Sequence, residues 1–218
     1  IRSPLLYPAE LRGLGAHILA RAAAVPASIS AMADTDDAID RFALEQRFAG
    51  IRQWGDPVLT TPARAVERFD AALANQAEQM IEIMDRAGGI GLAAPQVGIA
   101  QRLIAYYPEH EGPPSVLINP VIADRSEETA VGLEGCLSIG CSMIAVLVER
   151  ATTVRVRAQQ LDGSETDFEA TETHARVLQH EIDHLDGVLM LDRIDAEQRR
   201  QALRALRLGT AWAPESLS

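Results

Sequence analysis

Two histidines stand four positions apart in the segment His180-Glu181-Ile182-Asp183-His184. On an α-helix, residues four apart share one face, so both imidazoles can reach a single metal ion. Glu181 lies beside the first histidine, where a carboxylate can act as a general base toward water. A surface helix with two solvated histidines is the alternative, but the neighbouring Val177, Leu178 and Leu185 favour a partly buried helix. The pattern therefore predicts a metal site that performs catalysis.

A third metal ligand must come from outside this helix, and Cys136 is the preferred candidate. One thiolate and two imidazoles leave a coordination position open, which a catalytic metal site requires. A downstream acid, Asp192 or Asp195, is one alternative. Another is a closed structural zinc site that also includes Cys141, although Glu181 would have no task in such a site. We therefore interpret Cys141 as a small buried residue.

The segment from Gly89 to Gly98 is rich in glycine and alanine and contains Gln96. The spacing of its glycines differs from that of a dinucleotide-binding loop, and the segment follows a predicted helix rather than a strand. The side-chain amide of Gln96 could donate a hydrogen bond to an oxyanion. On its own, however, such a segment is also typical of a tightly packed turn.

Hydrophobic periodicity and capping residues predict the elements that must position these groups. The predicted elements are a helix from Asp70 to Gly88, short strands at 103–107, 116–118 and 153–158, a hairpin turn at Asp162-Gly163, a helix at 173–185, and a last helix with Asp195 and Gln198 as a capping box and Gly209 at its end. Helices at both ends of a mainly antiparallel set of strands predict an α+β fold.

The composition excludes several classes of protein. The chain has 218 residues, 20 basic and 31 acidic, and a net charge of −11, which argues against a DNA-binding surface. No apolar run approaches the roughly 18 residues that a membrane span needs. Two cysteines cannot form a disulfide scaffold, so a reducing compartment is expected.

Taken together, three segments resemble the signature motifs of the peptide deformylase family. The segments are Gly89-Ile90-Gly91-Leu92-Ala93-Ala94-Pro95-Gln96, Glu134-Gly135-Cys136-Leu137-Ser138 and His180-Glu181-Ile182-Asp183-His184. They occur in the family's order, and the resemblance spans residues 48–195. It implies a metal-dependent hydrolase that removes the N-formyl group from the formyl-methionine of new polypeptides and releases formate. A zinc peptidase and a non-catalytic zinc-binding module are the alternative functions.

The resemblance also assigns roles to individual residues. It implies that Cys136, His180 and His184 hold one divalent metal ion, natively iron(II), with zinc, nickel or cobalt as substitutes. Glu181 would be the general base and then the general acid. The side chain of Gln96 and the backbone N–H of Leu137 would bind the oxyanion.

Substrate contacts follow from the same resemblance. The backbone at Ile90 and Gly91 would pair with the extended peptide, while Ile90 and Val177 would line the pocket for the methionine side chain. The family also pairs Glu134 with an arginine at the position of Arg150. The chain departs from the family at 139–141, where Ile-Gly-Cys replaces a small apolar residue followed by Pro-Gly or Pro-Glu.

The expected organisation is an N-terminal extension at 1–47, a catalytic domain at 48–195, and a C-terminal helix and tail at 196–218. Three interpretations of residues 1–31 remain: a transit peptide, an upstream extension or an N-terminal arm. We prefer Met32 as the natural start of the protein. We expect a bacterial cytoplasmic monomer, or an organellar protein if 1–31 is a transit peptide. The last helix carries four arginines, which predict either a solvated face, the preferred interpretation, or a transient contact with the ribosome.

Overall fold

The structure is a computed structural model, and it describes residues 45–108 and 112–214. The expectations about residues 1–31, including Met32 as the natural start, fall outside these described residues. No helix within the described ranges is long and apolar enough to cross a membrane.

Besides the helical residues 45–47, the described part of the chain contains three α-helices: α1 at Ala71–Ala87, α2 at Glu172–Leu185 and α3 at Ala196–Leu208. The Asp70 carboxylate accepts hydrogen bonds from the first backbone N–H groups of α1, and Gly88 ends the helix in the left-handed conformation with φ of 71°. Asp195 caps α3 in the same way, and Gly209 ends it with φ of 65°. The predicted capping box of α3 forms only in part, because the Gln198 side chain donates to the Asp195 carboxylate over 3.3 Å rather than accepting the Asp195 backbone N–H. The same side chain also bonds to the backbone of Leu147.

The strands in the described ranges form one sheet of five strands and one of two. The bounds are β1 Gly91–Ala93, β2 Leu103–Tyr106, β3 Ser115–Arg125, β4 Thr129–Gly135, β5 Ala145–Ala151, β6 Thr153–Gln159 and β7 Glu165–Thr171. The larger sheet has the order β1-β2-β3-β6-β7, and β4 pairs with β5 alone. All these pairings are antiparallel, which confirms the predicted α+β fold.

Strand β3 runs far beyond the predicted stretch of 116–118. At Asn119, φ is 52°, and the register shifts between Ile118 and Val121. The Asn119 side chain compensates by bonding to both the N–H and the C=O of Val66. A bulge of this kind lets the strand continue past Pro120. The residues beyond it are more exposed and more polar, so alternation of apolar residues does not predict this part of the strand.

Helix α2 is central, and ten of its residues are buried, including every residue from Val177 to Leu185. Its apolar side packs with the large sheet through Val177, Leu178 and Ile182. A second cluster joins α1 to the large sheet, and a third holds Cys136 and Ile139 together with Ala202 and Ala205 of α3. The polar side of α2 is therefore enclosed by protein, so each of its polar groups needs a partner.

Candidate metal centre and active site

The structure brings the three predicted metal-binding residues together. Helix α2 presents His180 and His184, whose ring centroids lie 5.0 Å apart. Cys136 directly follows β4, and its Sγ lies 3.2 Å from Nε2 of His184. One ligand atom from each of the three residues lies within 4.8 Å of the others. Among the described residues, this is the one group of such side chains with the spacing to hold a metal ion.

The alternative ligands have other partners. Asp192 accepts hydrogen bonds from the N–H of Leu189 and from Arg199, and Asp195 caps α3. Cys141 does not belong to the ligand group and lies half-buried in the loop after Ser138. The interpretation of Cys141 as a small buried residue is therefore only partly met.

The donor set fits a divalent transition metal. Thiolate sulfur and imidazole nitrogen are the ligands that zinc and iron prefer, and three of them leave a coordination position for water or substrate. Oε2 of Glu181 is buried beside this group without a hydrogen-bond partner among the described residues. A buried carboxylate oxygen of this kind needs an additional polar ligand in the site, which agrees with a bound ion and its water.

Glu134 fixes the orientation of His180. The ring donates Nδ1–H to the Glu134 carboxylate over 3.0 Å, which leaves Nε2 available for a metal. Arg150 holds the same carboxylate by two parallel bonds of 3.0 Å, so the predicted pairing of Glu134 and Arg150 agrees with the geometry. Arg176 donates a third arginine hydrogen bond to the Glu134 carboxylate, over 2.8 Å.

Asp183 and Arg176 extend this network, and no sequence pattern predicted a role for either. Asp183 accepts a bond of 2.5 Å from Arg150 and two bonds from Arg193. Arg176 also bonds to the carbonyl oxygens of Ala130 and Val148. Glu134, Arg150 and Asp183 are buried, and burial of charged groups demands such mutual pairing. Asp183 lies inside the histidine motif, so its position on the buried helix was the signal that could have found it.

Burial and charge set the ionisation of the carboxylates. Burial opposes ionisation of Glu134, but hydrogen bonds from His180 and Arg150 hold its pKa below the usual value. For Glu181, burial is the dominant cause and raises the pKa to about 7, with His180 acting in the opposite direction. Glu134 is therefore a permanent anion, whereas Glu181 can both accept and release a proton near neutral pH.

The lack of a side chain at Gly91 makes room for Glu181. A Cβ at this position would lie 2.3 Å from Oε1 of Glu181. Gly91 begins β1, which is the first strand of the large sheet and leaves one edge free among the described strands. Ile90 just before it is 45% exposed, and Val177 is buried on α2. Of the three predicted substrate-binding residues, Gly91 therefore lies on a strand edge that is free among the described strands and adjoins the Glu181 carboxylate.

Gln96 and Leu137 both lie next to Cys136. Gln96 is buried, and its Oε1 accepts the N–H of Ala93 over 2.7 Å. Its NH₂ group therefore turns toward the cysteine, donating to Sγ over 3.7 Å and to Oγ of Ser138 over 3.3 Å. The backbone N–H of Leu137 has no acceptor among the described residues. The NH₂ group of Gln96 and the backbone N–H of Leu137 are therefore two hydrogen-bond donors next to the ligand group.

This site defines a metal-dependent hydrolase, because an open metal position, a buried base and hydrogen-bond donors occur together. The family model of polypeptide deformylase matches residues 48–200, and the chain belongs to the peptide deformylase family.

Individual proteins and solved structures that resemble this chain are also peptide deformylases. Peptide deformylase 1 of Corynebacterium glutamicum is 42% identical over 164 residues, which cover 74% of this chain and 95% of that protein. The crystal structure of peptide deformylase from Thermotoga maritima matches with a TM-score of 0.64 and 45% identity, over 66% of this chain and 96% of that one. A peptide deformylase from Synechococcus elongatus, in complex with actinonin, matches with a TM-score of 0.68 and 41% identity, over 74% and 86% of the two chains.

The pair of Glu134 and Arg150 should show strong energetic coupling. We expect Glu134→Gln and Arg150→Met each to lower the free energy of unfolding by about 3–5 kcal/mol, because each leaves a buried charge without its main partner. The double variant should lose about 1–3 kcal/mol less unfolding free energy than the sum of the two single losses, as measured by urea unfolding.

The exposed pair of Arg155 and Asp167 provides the control. Its two bonds have similar geometry, but solvent screens them, so the effects of Arg155→Met and Asp167→Asn should be close to additive. Additive losses at Glu134 and Arg150 would contradict the coupling.

Proposed function

We propose that this chain removes the N-formyl group from the formyl-methionine at the start of newly synthesised polypeptides, releasing formate and a free α-amino group. The main support is one observation: a buried carboxylate, Glu181, lies on the same helix as two histidines that meet a cysteine within 4.8 Å. Membership of the peptide deformylase family points to the same reaction.

Cys136, His180 and His184 are the proposed metal ligands, with iron(II) as the native ion and zinc, nickel or cobalt as substitutes. When bound, a divalent ion supplies Lewis-acid polarisation and makes a water molecule more acidic. Glu134 holds His180 in the orientation that this binding needs.

Glu181 is the proposed general base and then the general acid. It takes a proton from the attacking water as the new C–O bond forms at the formyl carbon. It then gives this proton to the nitrogen as the C–N bond breaks. A pKa of about 7 suits both steps, because the carboxylate is neither too weak a base nor too weak an acid near neutral pH.

The NH₂ group of Gln96 and the backbone N–H of Leu137 are the proposed donors to the oxyanion. Each such donor contributes about 3–4 kcal/mol when it is aimed at the oxygen that gains charge. The peptide would add as a strand along the free edge of β1 at Ile90 and Gly91, a mode of recognition that uses main-chain bonds. Ile90 and Val177 would contact the methionine side chain.

The remaining expectations stay proposals. We propose a catalytic domain at 48–195, preceded by an extension at 1–47 and followed by the helix and tail at 196–218. We expect a cytoplasmic monomer, or an organellar one if 1–31 is a transit peptide. Contact with the ribosome through the exposed Arg204 and Arg207 of α3 is the alternative to a solvated helix face.

Formate release from a formyl-Met tripeptide tests the proposed function. The protein is loaded anaerobically with iron(II), and its metal content is measured before the assay. We expect formate to appear with the formyl peptide and no reaction with the matched N-acetyl peptide. Fully loaded protein that releases no formate, or that cleaves internal peptide bonds, would contradict the proposal and favour a peptidase.

A further inference from the structure

The segment Arg52–Trp54 binds both of the chain segments that carry the proposed oxyanion donors. The N–H of Arg52 donates to the C=O of Gln96 over 2.7 Å, and the N–H of Trp54 donates to the C=O of Ser138 over 2.7 Å. This segment lies far from both in sequence, and it precedes the family motifs entirely. It therefore fixes the positions of two separate segments relative to each other.

The side chain of Gln53 makes the remaining contacts. Its Nε2 donates to the C=O of Leu137 over 3.0 Å, and its Oε1 accepts the N–H of Cys141 over 3.3 Å. One amide thus bonds to both the beginning and the end of the loop at 137–141. Because the C=O of Leu137 is held, rotation of this residue is restricted, and so is the direction of its own N–H.

The loop needs such a restraint. Gly140, Cys141 and Ser142 all have positive φ, of 61°, 52° and 63°. Two of these three residues carry a side chain beyond glycine's hydrogen, and the left-handed conformation is unfavourable for such residues. A conformation of this kind persists only where the surroundings hold it, and Gln53 bonds to its first strained non-glycine residue.

We propose that Gln53 is a positioning residue, which holds the backbone N–H of Leu137 in the direction required to bind the oxyanion. This inference rests on the proposed deformylase function. The N–H of Leu137 is free among the described residues, and the peptide that follows it is tied to Gln53. A donor that is misdirected by a fraction of an ångström binds the substrate almost as before but stabilises the oxyanion less.

Two substitutions at Gln53 test the proposal. Gln53→Glu keeps the size of the side chain and the acceptor for Cys141, but it replaces the donor to Leu137 with an oxygen. Gln53→Met keeps the length of the side chain and removes both hydrogen bonds. It introduces no charge, so it tests the proposal even if the charge of Gln53→Glu disturbs folding. For both variants we expect kcat to fall by about 10- to 100-fold, while KM changes by less than about twofold and metal content stays unchanged.

Gln198 offers a matched control. Its side chain, on α3, also holds both the N–H and the C=O of one residue, but that residue is Leu147 on β5 and not part of a segment that carries a proposed oxyanion donor. Gln198→Glu should lower the unfolding midpoint as much as Gln53→Glu does, with kcat within about twofold of wild type.

The outcomes separate the two proposals. A wild-type protein that releases no formate overturns the deformylase function itself. If wild type is active, an unchanged kcat in both Gln53 variants overturns the positioning role. Loss of metal in these variants, or equal losses of kcat at Gln53 and Gln198, would show a general structural effect and would also overturn it.

Discussion

Replacing Glu181 with glutamine is expected to lower kcat by about 10²- to 10⁴-fold, the usual contribution of a general base, with metal content unchanged. The amide has the shape of the carboxylate but cannot take the proton from water. The three ligands are all left in place, because Glu181 is not one of them. Formate release and metal per chain, measured on the same preparation, test this expectation.

Glu172→Gln is the matched control, since Glu172 lies on the first turn of the same helix and is exposed. It should leave both kcat and metal content at the wild-type level. The Glu181 variant should also unfold at a denaturant concentration no lower than wild type, because it removes a buried ionisable group with an unpartnered oxygen. If metal content falls together with activity, Glu181 supports the metal site structurally and its role as a base is wrong.

The helices could be predicted well because their signals are local. Asp70 and Gly88 mark α1 at both ends, and His180 and His184 reveal their common face by spacing alone. The same local logic predicted the hairpin at Asp162-Gly163, where β6 and β7 pair as antiparallel neighbours. The motifs then carried the resemblance to the family, which the match over residues 48–200 confirms.

Contacts between distant residues could not be predicted in this way. Glu134 meets His180 across 46 positions, and Gln53 meets Leu137 across 84. Neither periodicity nor capping describes such pairs, because they arise only when separate elements pack. Gln198 combines both cases, because its side chain bonds to the nearby cap residue Asp195 and also to Leu147 on β5, which no local signal reveals.

The role of Gly91 also depended on the fold. As part of a glycine-rich stretch, it could be read as a tight turn or as a place for a substrate backbone. The structure adds a third reason, because the carboxylate of Glu181 occupies the space of its missing side chain. Close packing of the proposed base against this strand edge would bring the formyl end of a peptide bound there near the proton acceptor.

The two cysteines should respond very differently to substitution by serine. Cys136→Ser removes a proposed ligand, and we expect metal affinity to fall by more than about 100-fold, since even the groups that orient ligands contribute 10- to 100-fold. Formate release should fall with it. Cys141→Ser should leave metal per chain and formate release close to wild type, because Cys141 is not part of the ligand group.

This comparison decides between an open catalytic site and a closed structural one. In a closed site with both thiolates, either substitution would weaken metal binding and destabilise the fold together, because metal binding energy is then folding energy. Equal loss of metal in the two variants would therefore overturn the open site. Within the part of the chain that the structure describes, Glu181 Oε2 has no hydrogen-bond partner, which argues for the open site, since a carboxylate beside four protein ligands would have no water to act on.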